Sequence, residues 1–183
     1  MSQILTFGKA VEQLYFNVDV KKASPESIIT DFGKVAQEYR VSKEMSSLSV
    51  NLSMKVNGDA KLISHFFKFI KSPLPDTTID SGYIKVSIGE VDNSKIIIDI
   101  DWCFSFLRKE DAEAFFEELK KMFAPLSTKQ RFENDKLNFG KYAEFSTRKD
   151  NETGIRDVTF SLSKSINGDK YEIRLIPYNE FAE

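Results

Sequence analysis

The segment Lys95–Phe106, with the sequence KIIIDIDWCFSF, is the most informative stretch of the chain. Large apolar residues occupy its even positions, whereas Asp99, Asp101 and Ser105 occupy odd positions. Successive side chains of a β-strand point to opposite faces of its sheet. The segment is therefore predicted to be a strand with one face in the protein core and the other in water.

The same alternation recurs along the chain and predicts the fold class. The other predicted strands include Leu14–Val20, Leu48–Val56, Tyr83–Glu90, Leu137–Phe145 and Val158–Leu162. Antiparallel sheets commonly pack one face on a core and leave the other face solvated. We therefore expect an α+β fold, with a mainly antiparallel sheet of six to eight strands and three or four helices packed on one face.

Two of these strands, Tyr83–Glu90 and Lys95–Phe106, are predicted to form a hairpin, and their faces decide its register. A two-residue loop at Asp92-Asn93 would place Val86 opposite Asp99 and mix apolar with polar side chains. A three-residue loop, which also includes the next serine, keeps each face uniform. It places Ile84 opposite Trp102, Val86 opposite Ile100, Ile88 opposite Ile98 and Lys85 opposite Asp101.

Three segments have the spacing of amphipathic helices. The first begins at Ser24-Pro25-Glu26, where a hydroxyl cap precedes a proline, and its apolar stripe extends to Tyr39. The second is Asp59–Ile70, and the third is Glu110–Phe123, in which acidic residues lead and lysines follow. A short helix around Ala10-Val11 is a fourth candidate.

A second hairpin is predicted near the end of the chain. Asn167-Gly168 is a strong hairpin signal, because both central residues of a type I′ turn need a positive φ. A two-residue turn there pairs Leu162 with Ile173 and Phe160 with Leu175, which again keeps the faces uniform.

The composition fits one globular domain over residues 1–183, with a weaker division into halves 1–80 and 81–183 as an alternative. Sixteen phenylalanines indicate a packed interior. The 26 basic residues nearly balance the 28 acidic ones, giving a net charge of −2. This balance disfavours a globally basic protein that binds nucleic acid.

The cellular compartment is predicted from what the sequence lacks. Cys103 is the single cysteine, so one chain forms no intramolecular disulfide, which fits a reducing compartment. Residues 1–11 lack the basic and apolar regions of a secretory signal. Since no apolar run approaches the roughly 18–20 residues that span a bilayer, we expect a cytoplasmic chain that does not enter a membrane.

No group of residues predicts a catalytic, metal or cofactor site. Asp99 and Asp101 have the spacing of a carboxylate pair, but Lys85 is predicted opposite Asp101, and the sequence supplies no further oxygen ligands nearby. The single histidine, His65, is predicted to lie exposed on a helix and to stay neutral beside lysines. A Cys-His or Ser-His-Asp arrangement of His65 with Cys103 or with one of the many serines is kept as an alternative. The glycines lack the spacing of nucleotide-binding motifs.

The polar face of the sheet is the strongest candidate for function. Its predicted binding surface comprises Tyr83, Lys85, Asp99, Asp101, Ser161 and Ser163. We expect a non-catalytic protein-interaction module, chaperone-like or neutralising like an immunity protein. Another protein would bind it on this face or on the acidic helix Glu110–Glu118, and a homodimer is kept as an alternative.

Two further functions remain open from the sequence alone. One is a small-ligand-binding domain or hydrolase with a carboxylate-lined pocket at Asp99 and Asp101. The other is single-stranded nucleic-acid binding through Lys55–Lys71, where lysines alternate with phenylalanines. The charge balance makes nucleic acid the less favoured partner. No motif of the chain resembles a known family.

Overall fold

The computed structural model describes residues 6–15, 25–46, 50–51, 55–56, 60–91, 94–135, 140–147, 156–165 and 168–178. The helices are α1 (Phe7–Tyr15), α2 (Pro25–Val35) and α3 (Lys109–Phe123), and a single 3-10 turn covers Ala124–Leu126. The strands are β1 (Glu38–Ser46), β2 (Val50–Asn51), β3 (Lys55–Val56), β4 (Ala60–Phe69), β5 (Ser81–Val91), β6 (Ser94–Phe106), β7 (Lys129–Asp135), β8 (Gly140–Thr147), β9 (Arg156–Lys164) and β10 (Tyr171–Tyr178).

Eight strands form one sheet in the order β1-β4-β5-β6-β10-β9-β8-β7. Every neighbouring pair in this sheet is antiparallel. Strands β2 and β3 form a separate two-stranded ribbon. The α+β class and the mainly antiparallel sheet are confirmed. The sheet itself has eight strands, but the strands of the described chain together exceed the predicted six to eight, because the ribbon adds to them.

All three helices pack on the same face of the sheet through aromatic side chains. The ring centroids lie 6.0 Å apart for Phe7 and Trp102, 5.4 Å for Phe32 and Phe67, and 4.8 Å for Phe115 and Phe104. Phe67, Ile84 and Trp102 are neighbours across three strands, so these contacts belong to one face. Each buried side chain of this size contributes roughly 1.5–3 kcal/mol through removal from water. We call this side the helix face and the other side the open face.

The β5–β6 hairpin combines the two registers that the sequence offers. Ile84 lies opposite Trp102, and Val86 lies opposite Ile100, as predicted. Nearer the loop, the predicted pairing of Ile88 with Ile98 is wrong, since Ile88 lies opposite Ile97. A β-bulge after Ser87 leaves one residue of β6 without a partner on β5. The bulge keeps the apolar side chains of both strands on the helix face, although Val91 pairs with Ser94 and the loop is one residue shorter than predicted.

The largest error of the sequence analysis concerns residues 59–70, which are predicted as a helix. Residues 60–69 form the inner strand β4, next to the edge strand β1, and Asp59 lies outside the described residues. Phe67 and Phe69 are buried on the helix face, whereas Phe66 lies on the open face beside Lys85. Apolar residues on both faces of an inner strand imitate helical spacing, because their order no longer alternates.

Smaller corrections concern the first half of the chain. Leu14 lies in α1 and not in the predicted strand Leu14–Val20, whose remaining residues beyond Tyr15 are outside the described part. Helix α2 begins at Pro25 as predicted but ends at Val35, so Tyr39 belongs to β1. The described parts of Leu48–Val56 are the two short strands of the ribbon.

The second half of the chain follows the predictions more closely. Helix α3 covers the predicted Glu110–Phe123 with one additional residue. In the β9–β10 pair, Leu162 lies opposite Ile173 and Phe160 opposite Leu175, as predicted, and Gly168 has a φ of 71°. Asn167 lies outside the described residues. None of the helices in the described part of the chain has the length and apolar character that a membrane crossing requires.

Candidate functional site

All six residues of the predicted binding surface lie on strands that contribute to the open face. Lys85 is opposite Asp101, as predicted, and Ser87 is opposite Asp99. Tyr83 is opposite Cys103, which places it in the same face as Lys85. Ser161 and Ser163 reach this face from β9, two strands away.

The strand between β6 and β9 is β10, and it supplies two residues that the sequence analysis did not include. Arg174 lies opposite Cys103 on one side and Ser161 on the other, and Glu172 lies opposite Ser105 and Ser163. The predicted β9–β10 hairpin already places Arg174 beside Ser161. What the sequence did not reveal is that β10 pairs with β6, which makes Tyr83, Cys103, Arg174 and Ser161 one continuous row.

Tyr83 and Asp101 interact directly on the open face. The Tyr83 hydroxyl donates a hydrogen bond to Asp101 Oδ2 over 3.2 Å. Burial, followed by the negative charge of Asp101, raises the pKa of Tyr83 to about 12. The phenol therefore stays protonated at neutral pH and acts as a donor that holds the Asp101 carboxylate in place.

Arg174 is held in a similar way by its neighbour on the same strand. Its Nε and Nη2 atoms donate to Glu172 Oε2 over 3.1 and 2.8 Å. The pair is largely exposed on the arginine side and more buried on the glutamate side. The guanidinium is thus held against Glu172, two residues away on the same face of β10.

Cys103 lies between Tyr83 and Arg174 and is only 8% exposed. Burial, with a smaller effect of the Glu172 charge, raises the pKa of the Cys103 thiol. A thiol with a raised pKa is a poor nucleophile, since the thiolate is the reactive form. Cys103 therefore serves as a small side chain within the row.

His65 does not lie on the predicted helix and does not approach Cys103. It belongs to β4 on the helix face, opposite Val86, whereas Cys103 is on the open face. Its Nδ1 atom is 2.7 Å from the Tyr39 hydroxyl. Burial is the main cause that lowers the pKa of His65, and the charge of Lys95 adds to it. The alternative of a Cys103–His65 pair is wrong, because the sheet separates the two side chains.

The open face extends beyond the predicted surface onto β4 and β1. The guanidinium of Arg40 lies 4.5 Å above the centroid of the Phe66 ring. Lys68 Nζ is 3.5 Å from a Glu38 carboxylate oxygen. The helix predicted for residues 59–70 excluded Phe66 and Lys68 from the predicted surface, and the helix predicted to extend to Tyr39 excluded Glu38.

The floor of the open face is formed by small polar residues. Ser64, Ser87 and Thr159 are buried. The hydroxyl oxygens of Ser64 and Ser87 are 3.3 Å apart, within hydrogen-bonding distance. Because Ser64 and Ser87 are buried and bonded to each other, the longer side chains of the open face, Tyr83 and Arg174 among them, project beyond this floor.

The lysines of Lys55–Lys71 do not share one face. Lys61 lies on the helix face, 4.0 Å from a Glu90 oxygen, whereas Lys68 lies on the open face beside Glu38. Lys55 belongs to the separate ribbon. These lysines therefore do not form one continuous basic face, and nucleic-acid binding through Lys55–Lys71 stays an untested prediction.

The acidic helix is largely neutralised by its own neighbours. The Arg108 guanidinium donates two hydrogen bonds, of 2.7 and 2.6 Å, to Asp111. Lys120 Nζ is 2.7 Å from Glu117, Lys121 Nζ is 2.5 Å from Glu118, and Lys141 Nζ is 3.1 Å from Glu113. Exposed pairs of this kind add little stability, but they cancel the net charge that would attract a basic partner.

The comparisons with known proteins give no family for this chain. No protein-family model, no curated protein and no solved structure matches it. Among the residues that the structure describes, no three His, Cys, Asp or Glu side chains are grouped so that they could hold a metal ion. Any functional assignment therefore depends on the geometry of the open face.

Proposed function

We propose that the chain is a non-catalytic protein-interaction module whose partner binds the open face. The supporting observation is the row of Tyr83, Cys103, Arg174 and Ser161, which are direct neighbours on four adjacent strands. Tyrosine and arginine are the side-chain types that, with tryptophan, contribute most of the binding energy at protein interfaces. Here they flank the small Cys103, and the small Ser161 lies on the other side of Arg174.

The anchoring of these two side chains favours binding. Tyr83 is bonded to Asp101, and Arg174 is bonded to Glu172. Ordering a flexible side chain on binding costs about 0.5–1.5 kcal/mol, and an already ordered side chain avoids much of this cost. Tyr83 and Arg174 are therefore already held in fixed positions on the open face before a partner binds.

The expected partner is a folded protein with a flat surface of mixed charge. Arg174 and Lys68 provide positive charge on the open face, while Glu172 and Asp101 provide negative charge. Alternating charges select a partner with the opposite pattern and reject surfaces of one sign. A chaperone-like or immunity-like role fits such a surface.

The acidic helix is the less favoured docking site, because neighbouring Lys and Arg side chains offset four of its five carboxylates and leave little net charge to attract a basic partner. A hydrolase centred on Asp101 is also less favoured, since Tyr83 donates to that carboxylate and Lys85 lies opposite it. The raised pKa of the Cys103 thiol further disfavours nucleophilic catalysis.

The same proposal covers the organisation and location of the chain. We treat residues 1–183 as one domain, because a single eight-stranded sheet includes strands from both halves 1–80 and 81–183. A buried single cysteine with a raised thiol pKa fits the reducing cytoplasm.

The proposal is tested by quantitative capture from cells that express the chain. Wild-type bait is compared with a Tyr83→Ala/Arg174→Ala double variant and with a Glu117→Ala/Glu118→Ala variant of the acidic helix. We expect a protein that is retained by the wild type and by the helix variant and is lost with the double variant. Retention by the double variant together with loss in the helix variant would place the partner on α3 and refute the proposal.

A further inference from the structure

The outer edge of β7 has a charge order that fits a second copy of the chain. β7 is the last strand of the sheet, and in the described part of the chain its only strand neighbour is β8. Its sequence is KQRFEND, and residues 129–134 are exposed. A free strand edge offers backbone N–H and C=O groups to another strand.

The charges of β7 are arranged symmetrically about Phe132. The two basic residues, Lys129 and Arg131, precede it, and the two acidic residues, Glu133 and Asp135, follow it. In an antiparallel pair of copies related by a two-fold axis at Phe132, Arg131 stands opposite Glu133 of the second copy. Position 129 likewise stands opposite position 135. A parallel, in-register pair would instead place like charges together, which destabilises a sheet.

Phe132 lies at the proposed axis and is 49% exposed. Its ring is on the helix face, since Phe132 is opposite Ala143, and Lys120 Nζ lies 4.6 Å from its centroid. The Phe145 ring contacts it edge-on at 5.7 Å. In the antiparallel pair the two Phe132 side chains would be direct cross-strand neighbours, so pairing would bury apolar surface that is now in water.

Arg131 and Glu133 form an ion pair within one chain, on the open face. On the inner side of β7, Arg131 lies opposite Glu144 of β8. In the pair of copies, Arg131 would lie between Glu144 of its own chain and Glu133 of the second. The alternation of charge would then continue across the new strand boundary.

We propose that two copies of the chain pair through β7 in antiparallel orientation, with the two-fold axis at Phe132, and thereby join their sheets. The interface is isologous, because each β7 contributes the same residues to it. This inference does not depend on the proposed function, since it requires no other protein.

The test uses exchange of charge between positions 131 and 133. Sedimentation equilibrium is measured over a concentration series up to about 1 mM, because a small interface of this class gives weak association. We expect the wild type to dimerise and the single variants Arg131→Glu and Glu133→Arg each to weaken dimerisation at least about tenfold through like-charge contacts.

Two combinations of these variants test the register. An equimolar mixture of the two single variants should dimerise again, because the Arg131→Glu copy carries acids at both positions and the Glu133→Arg copy carries arginines at both. The double variant Arg131→Glu/Glu133→Arg should also dimerise, since opposite charges again face each other. Arg40→Glu, on β1 at the other edge, is the matched control and should dimerise like the wild type. Melting curves first establish that every variant is folded.

Four results would overturn the inference. The first is a wild type that stays monomeric over the whole series. The second is a dimer that persists in both single variants, and the third is a mixture of folded single variants that does not associate. Loss of dimerisation in Arg40→Glu would move the interface to β1 and would likewise overturn it. None of these results depends on whether a different protein binds Tyr83 and Arg174.

Discussion

The two faces of the sheet are made by the same strands and yet differ in nearly every physical property. On β9, Phe160 is fully buried between aromatic rings, while its neighbour Ser161 lies on the open face beside Arg174. On β6, Trp102 is buried under α1, whereas Asp101 accepts a hydrogen bond from Tyr83. The helix face carries the buried aromatic core, and the open face carries charged and hydrogen-bonding groups.

The largest difference between the faces is expected from Phe160→Ala. The Phe160 ring contacts Phe116, Phe123 and Phe145 with centroids 5.3–5.4 Å away. Removing it should lower the free energy of unfolding by about 3–5 kcal/mol, because it leaves a cavity in the core. Ser161→Ala is the matched control on the open face and should change the free energy of unfolding by less than about 0.5 kcal/mol. Urea unfolding measures the loss of stability in both variants. Equal losses would refute the claim that only the helix face is packed into the core.

The second prediction concerns Gly82, where the helix face is packed most tightly. A Cβ atom at this position would overlap the Phe104 ring on the neighbouring strand. Gly82→Ala should therefore cost about 1–3 kcal/mol. Gly33→Ala, in α2 with no atom within 4 Å of the added carbon, should instead stabilise by roughly 0.5–1 kcal/mol. Thermal unfolding of both variants gives the sign of each stability change. An unchanged stability of Gly82→Ala would contradict the close contact between Gly82 and the Phe104 ring.

A smaller effect is expected from Tyr83→Phe on the open face. The variant loses the hydrogen bond to Asp101, which should cost about 0.5–1.5 kcal/mol at neutral pH. The pKa of Tyr83 is raised to about 12, so the folded state favours the protonated phenol. This stabilisation is complete below about pH 10 and is lost as the pH rises through about 12. Ultraviolet titration of the variant should lack the tyrosine transition near pH 12, and an unchanged titration would contradict the contact.

The smallest effect is expected at His65, where the helix face reaches the β1 edge. Its pKa is lowered, chiefly by burial, so the folded state favours the neutral imidazole that contacts Tyr39. The resulting stability is complete above about pH 6.5 and declines as the pH falls through the lowered pKa. His65→Gln should therefore lose less stability than the wild type between about pH 7 and about pH 5. If the free energy of unfolding of the wild type and of His65→Gln fell equally with pH over this range, His65 would not contribute to the pH dependence of stability.

The sequence predicts the two-faced strands because one of their faces is polar. In β6 and β9, residues such as Asp101 and Ser161 alternate with buried aromatics, and the period of two is therefore visible. β4 lacks this signal, because Leu62 and Phe66 are on its open face while Phe67 and Phe69 are buried on the other. An inner strand with apolar residues on both sides cannot be distinguished from a helix by spacing alone.

The candidate site is predictable only where it lies within one hairpin. The pairing of Lys85 with Asp101 follows from the β5–β6 hairpin, and the position of Arg174 beside Ser161 follows from the β9–β10 hairpin. The contact between the hairpins, through Cys103 and Arg174, joins residues that are distant in sequence. Such long-range pairing is decided by the packing of α3 and the core, for which short segments carry no signal.

The difference between the faces is tested most directly by the reaction rate of single cysteines with a thiol reagent. In a Cys103→Ser background, Arg174→Cys places a thiol on the exposed open face, and Leu175→Cys places one on the buried helix face. We predict that the Arg174→Cys variant reacts at least about tenfold faster than the Leu175→Cys variant, because the latter must open before it reacts. Equal protection of the two thiols would show that both faces are covered, and would contradict the open face on which the proposed function depends.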